Sequence, residues 1–229
     1  MRIKKRMIRR RELTRIYRAL YGRFGPQGWW PARTAFEVCV GAVLTQNTSW
    51  LNVARAISNI RRAGALSLGR LREMPEGDLA NLIKPSGYFR LKAKRLRHLL
   101  GFLANGGGSG WRRNLRKMPV GAAREKLLAV HGVGPETADS ILLYAAGMPS
   151  FVVDKYTLRI GARCGWFPHG TKYEDARSWF VERLPPEPKL YNEFHALMVR
   201  LGAEFCKSKP LCGDCPIKSS CDFNLKNPA

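Results

Sequence analysis

The chain has 229 residues, of which 40 are Lys or Arg and 17 are Asp or Glu, so its formal net charge is +23. A basic excess of this size implies a polyanionic partner, and nucleic acid is the leading candidate. No run approaches the roughly 20 apolar residues of a membrane span, and the basic start of the chain has no apolar signal core. We therefore expect no membrane association and a cytoplasmic, nucleoid-associated protein.

Helix-type periodicity dominates the chain, and no alternating strand pattern stands out. The composition, 45% hydrophobic, allows one or two packed domains. The sequence therefore predicts an all-α fold, with a flexible surface loop at the glycine-rich residues 105–110. The predicted helices span residues 9–22, 34–44, 50–63, 66–72, 76–83, 89–104, 122–130, 135–146, 155–164, 173–184 and 189–206.

A glycine-containing turn separates the seventh and eighth predicted helices. Gly132 and Gly134 permit a tight turn with exposed amides, and Pro135 suits the first position of a helix. Backbone N–H groups at such a helix start attract phosphate. An ordinary connection between two helices is the alternative, because a Gly-x-Gly pattern alone is weak evidence.

Asp154 follows the apolar residues 151–153 and precedes a predicted helix. This position predicts a partly desolvated carboxylate that could stabilise positive charge or position a water molecule. An N-cap for the helix that begins near Lys155 is the plainer interpretation. The two roles are compatible.

Four cysteines near the end of the chain are separated by five, two and five residues. Disulfides are disfavoured in a basic chain of intracellular character. Four thiolates suit either a tetrahedral zinc ion or a [4Fe–4S] cluster, and the spacing alone leaves both open. The other two cysteines, Cys39 and Cys164, lie in apolar helices and are expected to be buried. The predicted metal ligands are Cys206, Cys212, Cys215 and Cys221.

Taken together, the Gly132-Val133-Gly134 turn, Asp154 and the cysteine loop resemble the helix-hairpin-helix DNA glycosylase superfamily, in its endonuclease III-like branch. The resemblance runs from about residue 29 to residue 221. It implies a six-helix barrel domain at 34–148 that contains the hairpin, at about 122–146. A second domain, 1–33 with 149–229, would hold a [4Fe–4S] cluster rather than zinc. One departure is that the first cysteine spacing is five residues, where endonuclease III usually has six. The active cleft would lie between the domains.

Six further motifs lie at residues 29–31, 44–48, 85–89, 92–96, 134–136 and 152–156. They are similar to those of the type III 3-methyladenine DNA glycosylases, whose best-known members lack the cysteine loop. In that subgroup a tryptophan pair, its proline and a later aromatic residue line the pocket for the extruded base. Aromatic faces suit a cationic alkylated purine, which they hold by stacking and cation–π attraction. Core burial is the alternative for these tryptophans. The implied pocket residues are Trp29, Trp30, Pro31 and Trp50, with Glu136 at the pocket mouth.

Glu136 also stands where endonuclease III carries the lysine that forms a Schiff base with the sugar. A carboxylate cannot form an imine. The sequence therefore predicts a monofunctional glycosylase without AP lyase activity. Lys155 is the nearest amine in sequence, and we expect it to contact phosphate or solvent.

The resemblance also implies the partner, which is double-stranded DNA containing damaged bases and bound by a monomer. Gln46 and Asn47 lie where relatives fill the gap left by a flipped base, and Gly87 resembles a second backbone contact. Lys207 and Lys209, in the cysteine loop, would contact phosphates together with Gly132 and Gly134.

The sequence leaves two alternatives open. A glycosylase for uracil or thymine mismatches, or for oxidised pyrimidines, would keep the same scaffold but needs hydrogen-bonding groups to recognise a neutral base. A non-catalytic DNA-binding module would use the hairpin and basic surface alone, and Asp154 argues against it.

Overall fold

The structure, a computed structural model, describes residues 10–227. Residues 1–9, part of the predicted second domain, and residues 228–229 lie outside the described part. The prediction of an all-α fold is confirmed: residues 10–227 contain thirteen α-helices and no strand. The helices are α1 Arg10–Phe24, α2 Ala35–Leu44, α3 Trp50–Arg62, α4 Leu68–Glu73, α5 Glu76–Leu82, α6 Phe89–Asn105, α7 Trp111–Arg116, α8 Val120–Leu128, α9 Pro135–Ser140, α10 Lys155–Arg163, α11 Tyr173–Val181, α12 Pro188–Glu204 and α13 Asp222–Lys226.

The helix boundaries have local causes. The Thr34 side chain accepts a hydrogen bond from the amide of Glu37 and caps α2, and Ser67 caps α4 in the same way. The predicted helix 135–146 begins as α9 and continues as a π-helical turn, Ile141–Ala146. Within residues 10–227, no helix combines the length and the apolar character that crossing a membrane requires.

The chain divides into two compact units, and Trp30–Met148 is one of them. Its helix α2 is central, since every residue from Glu37 to Leu44 is buried. Leucines of α5 and α6 complete a core in which Leu79, Leu96 and Leu99 are fully buried. Each such side chain stabilises the fold by about 1.5–3 kcal/mol relative to an exposed one.

The described residues of Met1–Trp29 and Pro149–Ala229 form the other unit. Its core is aromatic, with the rings of Phe151 and Phe180 stacked at a centroid distance of 4.3 Å. Phe194 of α12 meets Phe151 edge-on. On α1, Leu13 and Leu20 are buried. The apolar segment before Asp154 is thus anchored in this core.

Candidate active site

The turn between α8 and α9 has the form of a tight hairpin. Gly132 lies in the left-handed region at φ +85°, and Pro135 is the first residue of α9. A bidentate ion pair joins the two helices: Arg124 Nε and Nη2 donate to the two oxygens of Asp139 at 2.9 and 3.1 Å. Because Asp139 is fully buried, this pair fixes the angle at which the helices meet.

The hairpin is bonded to the segment that follows α2. Gln46 Nε2 donates to the Gly132 carbonyl and to Thr137 Oγ1, both at 3.0 Å, and Gln46 Oε1 accepts from Arg95 at 2.5 Å. Both ends of the Gln46 amide are therefore engaged within the protein. Asn47, by contrast, is exposed and has a left-handed backbone at φ +52°.

Gly132→Ala is expected to destabilise the hairpin. An added Cβ would overlap the aliphatic part of Arg95, including its Cβ at 2.8 Å, and the positive φ is unfavourable for alanine. We expect a loss of about 1–3 kcal/mol in unfolding free energy, measured by thermal or denaturant unfolding. Gly134→Ala is the matched control, because its φ is −88° and an added Cβ meets nothing within 4 Å. Equal stability losses for the two variants would contradict this account.

Two of the predicted pocket tryptophans contact each other. The rings of Trp30 and Trp50 meet edge-to-face with centroids 5.2 Å apart, and Trp30 also packs against Tyr144 at 5.3 Å. Trp30 lies over Gly41, where an added Cβ would come within 3.3 Å of the indole. Both tryptophans remain partly exposed. Tyr144 was not predicted from the sequence, because it is hidden in the apolar run of residues 141–146.

Most of the remaining predicted pocket and backbone-contact residues are at the surface. Pro31 and Glu136 are exposed, with Glu136 in the first turn of α9. Gly87 is exposed at φ +68°, and the next residue, Tyr88, is left-handed as well. Trp29 is partly buried and belongs to the other unit.

Asp154 caps α10. Its Oδ1 accepts from the amide of Thr157 at 2.7 Å and from Thr157 Oγ1 at 2.8 Å. Among residues 10–227, Oδ2 has no hydrogen-bond donor, so one carboxylate oxygen is fixed and the other is available. The pKa of His195 is lowered by burial, and the nearby charge of Asp154 partly opposes that shift. Lys155 is exposed, with its ammonium 5.3 Å from the centre of the Tyr156 ring.

The four cysteines predicted as ligands line one cavity in the second unit. Cys164, which its sequence context places apart from them, is buried and lines the same cavity. A hydrogen bond with Cys164 lowers the pKa of Cys221 to about 6, whereas burial raises the pKa of Cys215 to about 11. Within the described residues, no group of three or more His, Cys, Asp or Glu side chains is arranged to hold a metal ion.

The cysteine loop contacts one arginine and carries two lysines of its own. Arg163 Nη1 donates to Cys206 Sγ at 3.2 Å and to the Lys207 carbonyl at 2.6 Å, and its guanidinium lies over the Phe223 ring. The side chains of Lys207 and Lys209 are exposed. The loop is thus held by the Arg163 guanidinium and displays two further cations to solvent.

Comparison with known proteins identifies the family. Residues 40–186 match the model of the HhH-GPD superfamily base excision DNA repair proteins. The chain is 44% identical to a candidate DNA repair glycosylase of Methanocaldococcus jannaschii, over 90% of this chain and 94% of that protein. It is 31% identical to an endonuclease III of Thermotoga maritima, over 82% and 83% of the two chains.

A solved structure extends this comparison. The H. pylori 3-methyladenine DNA glycosylase bound to 1,N6-ethenoadenine is 26% identical and superposes with a TM-score of 0.70, covering 85% of this chain and 97% of that one. The match to the family model covers more than half of the chain, and the relatives span nearly its whole length. The chain therefore belongs to the HhH-GPD superfamily of base excision DNA repair proteins.

Proposed function

We propose that this DNA glycosylase is monofunctional and hydrolyses the N-glycosidic bond of alkylated purines, such as 3-methyladenine, in double-stranded DNA. The observation that carries the choice of lesion is the contact between the partly exposed rings of Trp30 and Trp50. Aromatic faces attract a cationic base, and an N-alkylated purine needs little activation as a leaving group. The similarity to a 3-methyladenine glycosylase supports the same choice.

Asp154 is the proposed catalytic residue. As the glycosidic bond breaks, its electrons leave with the base and positive charge develops on the sugar, which a nearby carboxylate stabilises. The available Oδ2 can accept the proton of the water whose oxygen attacks C1′. The bonds to Thr157 hold the carboxylate in place for both steps.

We expect the enzyme to lack AP lyase activity because of Glu136. A glutamate at the hairpin cannot form the Schiff base that strand cleavage requires. Lys155 is exposed and lies over Tyr156, an arrangement that supports a contact with phosphate or solvent. The product would be an intact strand with an abasic site.

For DNA contacts, we propose that the backbone amides at Gly132 and Gly134 bind phosphate and that Lys207 and Lys209 add phosphate contacts from the cysteine loop. Asn47 is the better candidate for filling the gap left by the flipped base, because the Gln46 amide is already engaged. Gly87 would make the second backbone contact. We expect the protein to be a cytoplasmic monomer that associates with the nucleoid.

A [4Fe–4S] cluster is the proposed cofactor, held by the four cysteines of the cavity. Zinc would require four sulfurs about 2.3 Å from a single ion, whereas in a [4Fe–4S] cluster four thiolates hold a larger group. A shared cavity and the guanidinium near Cys206 fit a larger, anionic group. The cluster would order the loop that displays Lys207 and Lys209. That loop would belong to a domain made of residues 1–33 and 149–229, and we propose that residues 34–148 form the barrel domain.

A second candidate function is base release from oxidised pyrimidines or from uracil or thymine mismatches. The identity to an endonuclease III favours it. The two candidates differ in how the base is held, since a neutral pyrimidine requires hydrogen bonds to its edge.

Base release from purified protein tests the proposal. Duplexes carrying 3-methyladenine, uracil, a thymine mismatch or an oxidised pyrimidine are compared under single-turnover conditions. We expect the alkylated purine to be released fastest. Faster release of either pyrimidine class would reject the proposed lesion, and release of none would reject the enzymatic function.

A further inference from the structure

Lys92 is a buried lysine on α6. Its side chain is among the largest that the structure fully buries, at 1% exposure. A lysine is rarely buried in this way unless its ammonium has partners, because the charge is costly to remove from water. Burial, and to a lesser degree the charge of Arg95, lowers the pKa of Lys92 to about 8. The group therefore stays largely protonated at neutral pH.

The two partners of Lys92 are carbonyl oxygens at two different helix ends. Nζ donates to the carbonyl of Leu44, the last residue of α2, at 2.8 Å. It also donates to the carbonyl of Ser86, the last residue of the 3-10 turn Lys84–Ser86, at 2.7 Å. Terminal carbonyls lack partners within their own helix and favour a cation. One ammonium therefore caps both ends.

Each capped end leads directly into a loop with an unusual backbone. The first loop reaches Asn47 at φ +52°, and the second contains Gly87 and Tyr88, with Tyr88 at φ +45°. Asn47 and Tyr88 are the only non-glycine residues with positive φ in the described part of the chain. Both are exposed, Tyr88 by 72%. Such conformations persist where the surrounding structure imposes them.

The same face of α6 also reaches the hairpin. Arg95, three residues after Lys92, packs its aliphatic part on Gly132 and donates to Gln46 Oε1. Gln46 in turn donates to the Gly132 carbonyl. One helix therefore connects both loops and the proposed phosphate-binding turn.

We propose that Lys92 is a positioning residue that couples the loop of Asn47 to the loop of Gly87 and Tyr88, so that both meet the duplex together as a base leaves the stack. The inference rests on the proposed glycosylase function. Lys92 itself touches neither DNA nor the reacting atoms. Its effect is on the step that takes the base out of the duplex.

Lys92→Met tests this proposal, because it keeps the length of the side chain and removes both hydrogen bonds. Single-turnover base release is measured for one alkylated purine in a paired duplex and in an unpaired bulge, where little extrusion is needed. We expect release from the paired duplex to slow by about 10²-fold and release from the bulge to change by less than about threefold. Equal losses on the two substrates, or no loss on either, would overturn the proposal.

A second measurement does not depend on the lesion. The substrate is a duplex that carries 2-aminopurine opposite a stable abasic-site analogue. The fluorescence of 2-aminopurine rises when this unpaired base loses its stacking on the neighbouring bases. The wild type should bind and produce this rise, whereas Lys92→Met should bind without it. A wild-type rise from Lys92→Met would overturn the coupling. If the wild type releases no base from any substrate, the proposed function fails while this test still decides the role of Lys92.

Lys94→Met is the matched control, since it removes one charge from an exposed position of the same helix. It should behave as the wild type in both assays. If Lys92→Met unfolds at the assay temperature, a double-mutant cycle of Asn47→Ala and Tyr88→Ala replaces it. Non-additive losses in base release support the coupling, and additive losses overturn it.

Discussion

Asp154→Asn is expected to slow base release by about 10³-fold, equivalent to about 4 kcal/mol of activation free energy. The substitution removes the negative charge that would stabilise the sugar and the oxygen that would accept a proton from water. Asparagine remains a good N-cap, so it can retain the bonds to Thr157. The fold, the DNA affinity and the iron content should therefore be unchanged.

The controls for Asp154 separate its two roles. Asp154→Ala removes both the charge and the cap, so it should lose turnover and also about 1 kcal/mol of unfolding free energy. Single-turnover kinetics and thermal unfolding are measured on both variants. If Asp154→Asn retains turnover, Asp154 is a helix cap and not the catalytic residue.

Cys215→Ser is expected to abolish iron binding and to unfold the cysteine loop. Loss of one thiolate would leave one ligand position of the proposed cluster unfilled, and metal binding in such a loop contributes directly to its folding. Iron content, visible absorbance and proteolysis near Lys207 and Lys209 are the measurements. DNA affinity should fall as well, with a weaker dependence on salt.

Cys39→Ala is the control for this experiment, because Cys39 is buried in the other unit. Cys164→Ala tests the additional thiol of the cavity. Both variants should retain iron. Zinc in place of iron in the wild type would reject the proposed cluster, and loss of iron from Cys164→Ala would revise the ligand set.

The fold was largely predictable because long amphipathic helices leave a periodic signal. The loop predicted at 105–110 contains a short 3-10 turn, Gly108–Gly110, and leads into α7. Helices α7 and α13 were missed, since six and five residues are too few to establish a period.

The sequence suggests candidates for the site where one residue type can carry the proposed chemistry. Asp154, the hairpin glycines and the four cysteines stand out by their type and spacing. The contacts of Lys92 could not be predicted from the sequence. Its partner Leu44 is 48 positions away, and a run of basic residues predicts exposure. Cys164 and Tyr144 likewise depend on tertiary packing.

A monofunctional glycosylase forms no covalent intermediate with the sugar. Borohydride trapping distinguishes the two mechanisms when the protein is incubated on a duplex carrying an alkylated purine that it releases. We predict free base, an intact strand and no trapped protein–DNA adduct, since Glu136 cannot form an imine. A trapped adduct together with strand cleavage would show that the enzyme is bifunctional and that a lysine is the nucleophile, and Lys155 would be the first to test.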